Sequence, residues 1–109
     1  MANVPFSFYM GRSAMPQGAY KVEELSHGVM VRMWSADAIN AVTTRAIAGK
    51  KQIEPARLVF HRYGESYFLA EIWTGDGSTG QALAASPSEK ELARNGAART
   101  LSVIRLALQ

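Results

Sequence analysis

The chain has no cysteine, so disulfide frameworks, thiolate metal sites and cysteine nucleophiles are all excluded. It also lacks any apolar run near the roughly 20 residues that a membrane-spanning helix needs. The N-terminus has no charged-then-apolar layout of a signal peptide. There are only two histidines, His27 and His61. They are far apart in sequence, and neither stands at metal-ligand spacing from another His or from paired carboxylates. No metal and no cofactor is therefore expected. Charge of one sign is scarce as well. Twelve Lys or Arg against nine Asp or Glu leave a formal charge of +3, too mild and too scattered for the footprint of a nucleic-acid binder.

What is present is globular in character. At 109 residues and 48% hydrophobic content, the chain suits one domain around one core, read as residues 1–109. Two domains would each be too small to stabilise easily. The aromatics are spread from Phe6 to Trp73, which argues against a long disordered tail.

Short alternating runs set the fold class. Val4, Phe6 and Phe8 recur at period two, as in a strand with one buried side, and Pro5 marks an edge or a strand start. Met15-Pro16-Gln17-Gly18 has the residue preferences of a type I turn, followed by a strand through Tyr20 and Val22. Ser26-His27-Gly28 separates that strand from Val29–Trp34, and the two read as a hairpin. Ala36–Ala48 mixes helix-favouring alanine with Val42, Thr43, Thr44 and Ile47, and a strand is expected from about Ala41. Gly49-Lys50-Lys51-Gln52, ended by Pro55, reads as a polar turn or loop.

Arg57–Thr74 carries the clearest signal. Two aromatic and β-branched runs flank Tyr63-Gly64-Glu65-Ser66, and a Gly64-Glu65 loop suits a type II′ turn with positive φ at its first position. In that register Arg62 faces Tyr67, His61 faces Phe68, Phe60 faces Leu69 and Val59 faces Ala70. Both faces then carry large apolar groups, as in a central hairpin covered on two sides. After the polar loop Thr74–Gly80, Ser86-Pro87-Ser88-Glu89 starts a helix of about residues 87–95 that Gly96 stops. Thr100–Leu108 closes the chain as a strand with two mostly apolar faces. Such a strand is expected inside a sheet or against another subunit, here a homodimer. The whole reads as mainly β, a small antiparallel barrel or sandwich of about 5–7 strands with one short helix.

The chemistry-bearing residues are few. His27 reads as a turn residue and His61 as a packing or hydrogen-bonding partner beside Phe68. Glu23 and Glu24 are adjacent and so point to opposite faces of a strand. Glu89 and Glu91 are placed on the helix surface. Glu71 falls near Leu58 between Leu69 and Trp73, where a solvated edge or an Arg partner explains it better than a perturbed carboxyl. The glycine loop 75–80 lacks the Lys-Ser/Thr ending of a phosphate-binding loop, and Asp76 alone is too little for a calcium site.

The candidate ligand-binding set is Arg57, His61, Arg62, Tyr63, Tyr67, Glu71 and Trp73. Its basic and aromatic groups interleave as on sheets that stack single-stranded bases. With no convergent acid, base, nucleophile or metal set, the leading expectation is a non-enzymatic β module that binds a partner or contributes to envelope structure. A lipid-like small molecule or a single strand on the Arg57–Trp73 hairpin is the alternative, though nucleic acid is not favoured.

Several runs resemble a family of small, uncharacterised bacterial β-domain proteins that are usually exported. They are Val4-Pro5-Phe6-Ser7-Phe8, Met15–Tyr20, the Phe60-His61-Arg62-Tyr63-Gly64 hairpin with Tyr67-Phe68-Leu69 and Trp73, and Glu89-Lys90-Glu91-Leu92-Ala93-Arg94. The resemblance implies a periplasmic or secreted location for a chain whose leader has been removed, with a cytoplasmic one as alternative. It implies no activity, cofactor or catalytic residue.

Overall fold

Frequent turn residues cut the alternating runs into short strands, and the computed structural model describes residues 2–25, 29–48, 56–73 and 79–106. In chain order these hold β1 (Ala2–Val4), β2 (Phe8–Met10), β3 (Ser13–Met15), β4 (Gly18–Leu25), β5 (Met30–Trp34) and β6 (Ile39–Thr43). Then come β7 (Arg45–Ala48), β8 (Arg57–Tyr63), β9 (Ser66–Trp73), β10 (Thr79–Ala82), the helix α1 (Pro87–Arg94) and β11 (Thr100–Arg105). One sheet has the order β1-β4-β5-β6 and the other β11-β8-β9-β10-β7, with the β2–β3 pair attached alongside β9. All these pairings are antiparallel except β2 with β9, which meet in parallel at Tyr9 and Phe68. Both sheets curl around one core that includes Phe8, Met10, Tyr20, Met33, Phe60 and Ile72.

The strands outnumber the 5–7 expected, because runs that look continuous are broken. Val4–Tyr9 is not one strand: β1 pairs with β4 and β2 with β3, and Pro5–Ser7 carries the chain from one sheet to the other. Val4 and Phe8 are buried as the alternation requires. Phe6, on the connection, stacks on Tyr67 at 3.8 Å and meets Phe60 edge-on at 5.0 Å. The ambiguous stretch is strand, starting at Ile39 and not Ala41, and it breaks at Thr44. There the chain again changes sheet. Thr44 fixes the corner by donating its N–H to the Val29 carbonyl (2.7 Å) and its hydroxyl to Oε1 of the buried Gln81 (3.0 Å).

The two expected hairpins form. β4 and β5 pair antiparallel with Val31 and Met33 buried, while Arg32 on the other face lies over the Trp34 ring. In β8–β9, Gly64 has φ of 61° at the first loop position. Arg62↔Tyr67, His61↔Phe68 and Phe60↔Leu69 are as expected, but Val59 pairs with Glu71 instead of Ala70. A bulge at Ala70 causes the correction. It adds one residue to β9, so that Leu69 and Ile72, three apart, both face the core beside Phe60 and Leu58. Glu71 and Trp73 thereby join Phe68 on the outer face.

β11 is not internal. Among the described residues it ends its sheet, paired with β8 alone, and its outer-face residues Leu101 and Val103 are 62% and 52% exposed. Its other face turns Ile104 toward the core, half-buried. The expected continuation to Leu108, like His27, the Gly49–Pro55 turn and residues 75–78 of the glycine loop, lies outside the described residues.

Candidate functional site

Glu89 is the chief correction. The helix surface was expected for it, yet it is 6% exposed, and its carboxylate turns onto the outer face of β8. Oε2 accepts from His61 Nδ1 at 2.6 Å and from the Tyr63 hydroxyl at 3.0 Å. His61 and Tyr63 are two apart on β8 and so point the same way. Ser86 completes the arrangement as the N-cap: its Oγ accepts the Glu89 N–H at 3.2 Å. The capping hydroxyl forms as the sequence implies, but the Glu89 side chain is held by the sheet, not by the helix start. One carboxylate thus pins the first turn of α1 to the central hairpin.

The electrostatics follow from that burial. Burial pushes the Tyr63 phenol above its ordinary value; the hydrogen bond and the charge of Glu89 push the same way, and Arg99 opposes them. His61 is held through Nδ1 by the same carboxylate oxygen, with its ring about one-fifth exposed. Leu101, directly across from His61 on β11, lies exposed beside it.

The candidate ligand-binding set divides between the two faces of the hairpin, two residues on one and five on the other. Arg62 and Tyr67 are on the core-side face of the hairpin, where the Arg62 guanidinium lies 5.2 Å from the Tyr67 ring and Nε donates to the Gly64 carbonyl (2.7 Å). Arg57, His61, Tyr63, Glu71 and Trp73 share the outer face. Arg57 sits 4.7 Å from the Trp73 ring, and Trp73 Nε1–H donates to Glu71 Oε1 at 2.8 Å. Trp73 also lies flat on the backbone of Gly80, its partner on β10: a Cβ there would sit 2.6 Å from ring carbons. The interleaved aromatics are therefore engaged in packing within the chain. Among the described residues no cluster of His, Asp and Glu is arranged to hold a metal ion.

Pinning α1 has a second effect, which the sequence did not suggest. The helix start forms one wall of a surface groove of about 430 Å³, with Ser86, Pro87 and Lys90 facing Gly11 and Arg12 of the β2–β3 turn and Val42 and Thr43 of β6. An adjoining depression of about 150 Å³ shares Thr43 and Ala84 with it and reaches Arg45. These groups come from positions 11 to 90, so no local pattern announces them. No family model, no curated protein and no solved structure matches this chain.

Proposed function

We propose that the chain is a non-enzymatic β module that works by binding a partner on its outer surface. The observation that carries this reading is the filled interior. Tyr20, Phe8, Phe60, Met10 and Met33 are fully buried where the sheets curl together, which leaves the inside to side chains and favours a scaffold over a container for a lipid-like ligand. The Glu89 carboxylate supports the same reading, since its two hydrogen bonds hold a helix in place. Backbone resonances of the labelled chain, titrated with a panel of peptides, oligonucleotides and lipids, should shift at surface positions and not at the core. Turnover of ester, glycoside or phosphate substrates by the purified protein would overturn the reading.

Self-association through β11 is a second reading, favoured by the exposed Leu101 and Val103 at the end of the sheet. Light scattering should then show a concentration-dependent dimer that Leu101→Lys abolishes. A monomer at every concentration rejects it.

A further inference from the structure

We infer that the groove between α1, the β2–β3 turn and the β6–β7 corner takes an extended acidic peptide segment of a partner protein. This rests on the surface-binding reading and names its site and ligand class. Arg12, Arg45 and Lys90 stand along the two adjoining depressions, and neither depression is lined by an Asp or Glu. All three cations are exposed, and none makes an ion pair among the described residues. Cations gathered along a concave surface without counter-charges raise the local potential and draw an anionic partner.

The shape and floor of the groove select the kind of anion. Val42, Leu83, Ala84, Ala85 and Pro87 make the floor apolar, so the ligand must offer apolar groups between its charges. The cations come from a turn, a strand and a helix, strung along the groove, whereas a single phosphate needs donors that converge. Aromatic rings are absent from the lining, which leaves nucleobases nothing to stack on. The backbone supplies a further element. The N–H groups of Ala84 and Ala85 have no hydrogen-bond partner among the described residues, and the connection runs into Ser86 in an extended conformation (φ −71°, ψ 162°). Open amides on an extended segment can pair with an incoming strand.

The experiment titrates the full chain with a fluorescein-labelled peptide of about eight residues alternating Glu and Val, an extended pattern that sends its carboxylates to one side. Its Lys-for-Glu counterpart, inorganic phosphate and a single-stranded oligonucleotide serve as competitors, and anisotropy is the readout. The Glu peptide should saturate and should weaken as salt rises. The double variant Arg12→Glu, Lys90→Glu should lose about tenfold or more in affinity for it and gain affinity for the Lys peptide. Arg12→Gln with Lys90→Gln, which removes charge without reversing it, should show a smaller loss in the same direction.

Absence of saturable binding by the Glu peptide overturns the inference. So does unchanged affinity in both double variants, or displacement of the peptide by phosphate or oligonucleotide at equal concentration. A panel ligand that shifts resonances away from the groove, with the Glu peptide silent, overturns this inference alone. Turnover of a panel substrate overturns the reading beneath it.

Discussion

At the scale of single residues, Glu89 has the most to lose. Replacing it by alanine strips the acceptor from the Tyr63 hydroxyl and from His61 Nδ1–H while both remain in the shadow of the helix. Leaving buried donors unpaired should cost about 2–3 kcal/mol, read as a lower urea midpoint for Glu89→Ala. An unchanged midpoint would mean that the carboxylate does not hold the helix. Gly80 makes a comparable demand through shape. Its Cβ position is filled by the Trp73 ring, so Gly80→Ala should displace the indole, red-shift its fluorescence and cost about 1–3 kcal/mol. Neither site was legible in the sequence. His61 and Glu89 lie 28 positions apart, and no spacing rule joins a strand residue to a helix residue that far away. Glu89, at the third position of a helix start, carries the pattern of a capping partner, and that local role hid the long-range one.

At the scale of elements, local rules did better. The β8–β9 turn was legible because Gly64 between two aromatic runs leaves few alternatives. The helix was legible because Ser86, Pro87 and Gly96 each solve a problem of helix ends: an unpaired N–H, a fixed φ and a left-handed stop, the last seen in Gly96 at φ 82°. Ser86→Ala should cost about 1 kcal/mol, measurable by thermal melting. Because the same turn carries Glu89, the variant should also loosen the groove wall. Amide exchange should speed up at residues 88–90 more than at the C-terminal turn of α1, and uniform exchange along the helix would argue that the cap and the Glu89 contact act independently. The bulge at Ala70 was beyond local rules. Leu69, Ala70, Glu71 and Ile72 satisfy a regular alternation as well as a bulged one, and only the need to place both Leu69 and Ile72 in the core decides between them.

At the scale of the whole molecule, the changes of sheet at Pro5–Ser7 and at Thr44, and the parallel contact of β2 with β9, come from closing two sheets around one filled core. Composition and period could give a mainly β chain with one helix, but not that order, since the order depends on which faces meet. Closure buries the Tyr20 phenol and the docking of α1 covers that of Tyr63, and this has a thermodynamic consequence. Burial raises Tyr20 and Tyr63 above the ordinary value of 10.0; for Tyr20 a bond from Ser35 opposes and Asp37 adds, and for Tyr63 Glu89 adds and Arg99 opposes. Above pH 10.0 the unfolded chain gives up protons that the folded chain still holds, so stability falls as pH rises through that window. Below 10.0 the stabilising difference is fully present. Tyr63→Phe loses its hydrogen bond to Glu89 and should start about 1 kcal/mol less stable at neutral pH. It has one phenol fewer to ionise, however, so its urea midpoint should fall less steeply than that of the parent above pH 10.0. The two stability curves should therefore converge in alkali, and parallel curves would show that Tyr63 ionises alike in the folded and unfolded states.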